Sequence, residues 1–417
     1  MFEMRIRHAI ERLKEEFSFI HGNVLVLMVS WVLMQFSMPI PDTYYSLFVL
    51  ELGATPFIIG LIEFASFVAL ALVQFPGGYL ADKCGRRKLI VTMTFGVGLA
   101  NILFALAPSW HFIFIGAVIS NLCLIYQPAL WAIMADSLPP EKRGIGFSTL
   151  GITNVVSVAS PLIAGFLYLR YGLVEGTRIA YLLVFLAFFL AGIVRLKLKE
   201  TIRVDAERIG FKDVIESYPT AIKESIAVWR LIPRTMLHLF LIFLATNFFA
   251  QMCNRYYVIY ATKVLSIEEF QWAMLLALQS AIVFGSLLPI GKIVDVFGRK
   301  KPLVVTHLLF MLAMPFFIYG NFVRLIIFFT LSGIGNSMLS VAYQSLEADL
   351  VPREHRGKVV GFTQFFAYIS ASIGRLLGGF LYEKASPQMP FLLMLASTAP
   401  GAILTSLLIH EPEKREI

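Results

Sequence analysis

The chain has 417 residues, of which 58% are hydrophobic and only 15% charged, with a mean hydropathy of +0.76. A soluble domain carries nearer a quarter charged residues to cover its surface, so the composition excludes an ordinary soluble globule and points to an all-α membrane protein. The formal charge of +8 would suit nucleic acid only as a patch; the basic residues instead sit between apolar stretches, and no nucleic-acid partner is expected.

Residues 1–22 mix Glu3, Glu11, Glu15 and Glu16 with Arg5, Arg7, Arg12 and Lys14 and lack the apolar core of a cleavable signal. Phe2, Ile6, Ile10, Leu13 and Phe17 recur at helical spacing, which predicts an N-terminal helix lying on membrane lipids. Apolar runs long enough to cross the hydrocarbon core, ~20 residues each, then predict helices over 23–50, 56–80, 88–107, 111–135, 143–170 and 178–196. A polar stretch over 197–234, with nine basic and six acidic residues counted from Arg195, reads as a linker. A second set follows over 235–262, 268–291, 302–320, 324–350, 357–384 and 389–410, and 411–417 form a tail. Twelve transmembrane helices in two pseudo-symmetric six-helix bundles, 23–196 and 235–410, are expected. Prolines inside several runs (Pro39, Pro41, Pro128, Pro161, Pro289, Pro315, Pro400) do not argue against helix, because neighbours in a bundle can satisfy the freed backbone groups.

Grouped by alternate loops, 28 of the 35 Lys and Arg fall on the side of the N-terminus, the GRR and GRK loops, the linker and the tail, against five in the opposite loops. The positive-inside rule then predicts a multi-pass protein of the cell membrane with both termini cytoplasmic, and an even number of spans requires the termini to share a side. The three cysteines, Cys84, Cys123 and Cys253, show no metal-binding or disulfide spacing. No Walker loop, GxSxG elbow or HExxH is present, so the chain has no foothold for ATP-driven or hydrolytic chemistry and no cofactor is expected.

One polar signature occurs twice. Gly78–Arg87 reads GYLADKCGRR and Gly291–Lys300 reads GKIVDVFGRK, 213 positions later. The same shift carries Asp136, Arg143 and Gly144 onto Asp349, Arg356 and Gly357. An internal repeat in an apolar chain indicates a transporter built from two similar halves. Gly78 and Gly291 allow close helix approach, Asp82 and Asp295 stand where a carboxylate can cap a facing helix or meet a guanidinium, and Gly85 and Gly298 precede the basic pairs.

These motifs resemble those of the major facilitator superfamily: its signature loop between the second and third helices, and the weaker copy between the eighth and ninth. The resemblance covers essentially the whole chain. It implies a secondary transporter working by alternating access, with an inner gate in which Asp82 caps the eleventh span and Arg86 engages Asp136. Asp295, Arg299 and Asp349 would form the mirrored latch, with Arg143 and Arg356 beside them. Charges serving topology alone are the simpler alternative. The chain departs from the pattern where many proton-coupled members carry an arginine in the fourth helix. The fifth, with SPLIAG at Ser160–Gly165, keeps few of the glycines of drug antiporters.

Four charges lie inside the spans. Asp42 precedes Glu51 by nine residues, Glu63 follows Pro56 by seven, Arg255 precedes Lys263 by eight and Arg375 precedes Lys384 by nine. At 1.5 Å per residue all four stand roughly 10–14 Å below the same end of their helices. An unpaired charge there costs at least ~2.5–3.5 kcal/mol. Since the family places the first and seventh helices at the cavity, and the second beside the eleventh, the expected pairs are Asp42 with Arg255 and Glu63 with Arg375, an outer gate that also couples protons. Tyr44, Tyr45, Gln127, Asn247, Gln251, Asn254, Tyr256, Tyr257 and Gln279 are candidate cavity residues, against the plainer alternatives of an interfacial aromatic belt and interhelical hydrogen bonds. The expected function is efflux of a small amphiphilic organic compound in exchange for H+, by a protein that functions as a monomer. The alternatives are a symporter or uniporter for an organic anion, with Arg255 and Arg375 as its ligands, and a transport-inactive receptor or lipid-handling protein.

Overall fold

The computed structural model describes residues 17–139, 146, 153–202, 229, 232–352 and 355–411, apart from the side chains of Phe75, Asp82 and Cys84. The expected N-terminal helix, most of the linker, Arg143 and the end of the tail lie outside these residues.

In the first half the helices are α1 (Gly22–Ser37), α2 (Pro39–Asp42), α3 (Tyr45–Glu51), α4 (Pro56–Cys84), α5 (Arg86–Ala105), α6 (Trp110–Cys123), α7 (Gln127–Ser137) and α8 (Ser160–Arg195). The second half has α9 (Arg234–Asn254), α10 (Tyr257–Lys263), α11 (Glu269–Phe297), α12 (Lys300–Ile318), α13 (Phe322–Leu350), α14 (Arg356–Lys384) and α15 (Met389–Leu408). Among the described residues, eleven continuous helical stretches are long and apolar enough to cross a membrane. One of them, Thr153–Arg195, is two crossings: Gly172, at φ 76°, reverses the chain. The Cβ direction of Gly176 accordingly meets Leu167 O at 2.8 Å, a contact that nine residues of straight helix, ~13 Å long, would forbid. The chain is therefore an all-α, multi-pass membrane protein with twelve crossings.

The shift of 213 extends far beyond the two signatures. It carries Pro56–Cys84 onto Glu269–Phe297 without remainder, and the other equivalent ends agree to within one residue. Pro76, inside α4, falls on Pro289, inside α11. Gly85 and Gly298 both take positive φ, 90° and 82°, a backbone that favours glycine because other residues would place a Cβ against the chain. These turns end α4 and α11 later than the apolar runs suggested, because Asp82, Lys83, Lys292 and Asp295 continue a helix although they lower hydropathy. The molecule's end at these turns is called the signature end below, and the opposite one the far end.

The first crossing was expected to be unbroken but is interrupted between Asp42 and Tyr45, after two prolines that cannot donate backbone bonds. Its equivalent in the second half breaks at Arg255 and Tyr256 with no proline present. A third interruption, the 3₁₀ turn Leu124–Tyr126, precedes Pro128 in α7.

The halves meet mainly along α4 with α14 and α8 with α11. At the far end one buried apolar cluster runs through both halves, including Phe48, Ile59, Tyr256 and Trp272. At the signature end each half keeps its own cluster, around Ile90, Ile133 and Phe188 in the first and Ile290, Leu346 and Val359 in the second. Glycines follow the same division. A Cβ on Gly60 would stand 2.7 Å from Arg375 O, and one on Gly379 2.6 Å from Pro56 O. By contrast, Gly291, Gly357 and Gly361 have nothing within 4 Å in the Cβ direction. The structure is sealed at its far end.

This division predicts opposite responses to the same substitution. Gly379→Ala must move backbone at the seal and should cost about 1–3 kcal/mol. Gly361→Ala, in a helix facing open space, should leave stability unchanged or raise it by up to about 1 kcal/mol. Thermal unfolding of the purified protein checks this, and equal shifts for the two variants would contradict the asymmetry.

Candidate functional site

The four intramembrane charges converge where the two interrupted crossings face each other. Arg255 Nη1 donates to Asp42 Oδ1 at 2.5 Å, and Arg375 Nη1 donates to Glu63 Oε2. The pairs are not separate. Arg255 Nε also faces Glu63 Oε1 at 3.0 Å, without the alignment of a hydrogen bond, so Glu63 bridges both guanidiniums. Each acid comes from the first half and each arginine from the second, so the network crosses the interface.

Its surroundings fix the arginines. Arg375 donates from Nε and Nη2 to Gln251 Oε1, at 3.0 and 2.7 Å, and lies 3.9 Å from the centroid of the Phe67 ring. Arg255 lies 4.6 Å from that of Tyr45. Planar guanidiniums suit such stacking and forked hydrogen bonding. The acids differ in access: the Glu63 side chain is 6% exposed and that of Asp42 is 59% exposed. Glu63 is the buried keystone, and Asp42 is the carboxylate a solute can reach.

The far-end seal is completed by further hydrogen bonds between the halves. Tyr44 donates its hydroxyl to Glu269 O at 2.6 Å, Trp272 Nε1 donates to Thr43 O at 3.3 Å, and Phe57 N donates to Glu383 Oε2 at 3.0 Å. The Trp272 bond uses a carbonyl released by the break after Asp42. Tyr256, fully buried, donates to Arg375 O at 2.9 Å.

Next to Asp42 and Arg255 lies a cavity of about 660 Å³, a size suited to a small organic molecule. Of the nine candidate lining residues, Asn254, Tyr257 and Gln279 line it. The other six do not, because their groups serve packing or bonds between helices. Tyr44 and Tyr256 belong to the seal, Tyr45 lies under Arg255, and Gln251 holds Arg375. Gln127 accepts from Gln74 at 3.1 Å, and Asn247 donates to Ala367 O at 3.0 Å. Among the described residues, Asp42, Thr43 and Ser46 are the only lining residues from the first half, an asymmetry the repeat did not suggest.

At the signature end, Arg86 Nη1 pairs with Asp136 Oδ2 at 2.5 Å, and Arg299 Nε with Asp349 Oδ2 at 3.0 Å. Asp295 stands 3.8 Å from Arg299. Each of these pairs lies within one half. Arg356 turns back to the carbonyls of Ala348 and Val351, and the capping role expected of Asp82 concerns a side chain outside those described. Gly78 has only Pro128 near its Cβ direction, at 4.0 Å. Two further acids hold these turns. Glu200 Oε2 accepts from Arg87 N at 2.9 Å, and Glu411 Oε1 accepts from Arg299 N and Lys300 N at 2.9 and 2.8 Å. Their signal in the sequence is an acid shortly after the last apolar residue of each half.

Unequal burial predicts unequal costs. Glu63→Gln leaves two buried guanidiniums without their shared carboxylate and should destabilise by about 3–5 kcal/mol. Asp42→Asn removes an exposed partner while Arg255 keeps Glu63, and should cost no more than about 1 kcal/mol. Chemical or thermal unfolding in detergent measures both, and equal losses would contradict the keystone role of Glu63.

Comparison with known proteins agrees with this architecture. The family model described as Major Facilitator Superfamily matches residues 24–324 and again 242–417. The chain is 25% identical over 349 residues, 80% of its length and 83% of the relative's, to the multi-drug resistance efflux pump PmrA of Streptococcus pneumoniae. It is 25% identical over 324 residues, 76% of each chain, to the multidrug resistance protein MdtG of Escherichia coli. In fold it is similar to a bacterial homologue of the human lysosomal transporter Spinster, in an inward-facing and occupied conformation. The TM-score is 0.72 at 14% identity, over 92% of this chain and 96% of that one. A repeat that carries Pro56–Cys84 onto Glu269–Phe297, a seal made across the two halves and a family match over both lead to one conclusion: the chain belongs to the Major Facilitator Superfamily.

Proposed function

We propose that the protein exports a small amphiphilic organic compound in exchange for protons, with Asp42 and Glu63 as the groups on which the exchange turns. The observation that carries this reading is the charge network at the cavity, in which a reachable carboxylate and a buried one share the arginine that joins the halves. Efflux is favoured by the similarity to PmrA and MdtG, both named as drug-resistance proteins. Both guanidiniums are already engaged by carboxylates and Gln251, which favours exchange at an acid over capture of an anion at an arginine.

The mechanism follows from electrostatics. Opening the far end means withdrawing Glu63 and Asp42 from Arg255 and Arg375. Bare separation would strand charges in a low dielectric. A proton on a carboxylate, or a solute competing for Asp42, removes that obstacle. Two ligands that need the same carboxylate cannot be held there together, and alternation between them is exchange. Interrupted helices suit such a site, since their freed backbone groups line the place where the halves rock. On this reading the termini and the signature end are cytoplasmic, the described state is closed to the outside, and Arg86–Asp136 and Arg299–Asp349 prepare each half for the inner gate, with Asp82 and Arg143 as its further members.

Everted membrane vesicles test the reading. With an acid interior, vesicles carrying the protein should accumulate ethidium against its gradient, and a protonophore should abolish the accumulation. Asp42→Asn should remove at least nine-tenths of the gradient-driven uptake while leaving downhill movement. Uptake indifferent to the pH gradient would contradict proton exchange, and binding with no movement would favour a receptor.

A further inference from the structure

The cavity lies almost wholly within the second bundle, and comparison of the two halves accounts for it. In the first bundle the equivalent interior is filled. Phe188 and Arg195 are both 0% exposed, and Tyr126 is 3% exposed. Arg195 donates from Nε to Ser30 Oγ at 3.0 Å and from Nη1 to Thr94 Oγ1 at 2.6 Å, with the Tyr126 ring 5.3 Å away. The shift of 213 places Gly401 where Phe188 stands, Leu339 where Tyr126 stands, Leu408 where Arg195 stands and His307 where Thr94 stands. Removing a phenylalanine side chain and shortening a tyrosine opens the second bundle. Gly401, Leu339 and His307 all line the cavity that results.

His307 is the unusual group in that wall. It is 5% exposed, and its imidazole packs so closely on Gly401 that a Cβ there would stand 2.7 Å from Cε1 and Nδ1. Thr94, its equivalent, is satisfied by Arg195 and by Ile90 O. His307 makes no hydrogen bond among the described residues. Its imidazole faces the cavity, so a hydrogen-bonding group held there has a nitrogen to meet. The same cavity is lined by Phe310 and Phe328, whose equivalents in the first bundle are Val97 and Ile115. The wall has gained aromatic surface as well as space.

We propose that this interior of the second bundle is a binding subsite for the aromatic arm of a ligand, and that His307 selects arms carrying a hydrogen-bonding group. The inference rests on the transport reading only for its biological use; binding itself can be measured without transport. A ligand would lay its arm between Phe310 and Phe328 and give or accept a hydrogen bond at the imidazole, while its remaining part reaches Asp42. Gly401 is the position that makes room for the His307 imidazole, and a side chain there would push it into the cavity.

Two aromatic cations separate the contributions: ethidium carries arylamine hydrogen-bonding groups, and tetraphenylphosphonium carries none. Equilibrium binding of each is measured on the purified full chain, with a monodisperse, cooperatively unfolding sample as the criterion of folding. His307→Leu should weaken ethidium five- to tenfold and tetraphenylphosphonium less than twofold, while His307→Gln keeps ethidium within twofold of the wild type. Gly401→Phe, which restores the first bundle's residue, should weaken both at least tenfold. Leu339→Tyr does the same by a second route if Gly401→Phe fails to fold. Equal losses of both probes in His307→Leu, or wild-type binding in the filled variants, would overturn the proposal. So would a wild type that binds neither probe. Normal, His307-dependent binding with no proton-driven flux would instead count against the transport reading and leave the subsite standing.

Discussion

Glu63 is the residue on which the described state depends. It comes from the first half, is almost fully enclosed, and faces two arginines that both come from the second. Among the described residues Arg375 meets no other carboxylate, and besides Glu63 Arg255 meets only the more exposed Asp42, so the loss of Glu63 would leave buried guanidiniums poorly paired. The surrounding architecture serves this meeting. Gly60 and Gly379 let α4 and α14 approach until backbone meets backbone. The interruptions at Asp42–Tyr44 and Arg255–Tyr256 bring the remaining charges to the same level. Tyr44, Trp272 and Glu383 add neutral or capping bonds around them.

The two halves share a scaffold and differ in what fills it. Most helix ends, the turn glycines and the helix-interior prolines Pro76 and Pro289 coincide under one shift. Such positions are set by backbone geometry, which the bilayer allows little freedom to vary. Interiors are set by side-chain volume and drift more readily. The first bundle closes on Arg195, Tyr126 and Phe188, and the second leaves a cavity beside Gly401.

Much of this was legible in the sequence. Depth along a helix is a matter of counting, so Asp42, Glu63, Arg255 and Arg375 could be set at one level before any coordinates, and opposite charges at one depth in an apolar medium must meet. Counting could not reveal that Glu63 touches both arginines, because that depends on rotation about α4. The break at Tyr256 carries no proline and therefore no local signal. Arg195 reads as the first charge of a linker, yet it closes an apolar stretch and turns inward. The cavity wall was least legible: Gln127, Asn247 and Gln251 have the chemistry of lining residues but spend it on neighbouring helices. His307 became visible only when its partner-less imidazole was set beside Thr94.

The central claim is that the Glu63 network holds the far end shut. Leu106 and Tyr319 are equivalent, exposed positions at that end of the two halves. Spin labels on cysteines introduced there, after replacement of the three native cysteines, report the separation by electron–electron double resonance. The protein should show one dominant short distance at neutral pH, and Glu63→Gln should shift most of the population to a longer one. An unchanged distance distribution in Glu63→Gln would contradict the account.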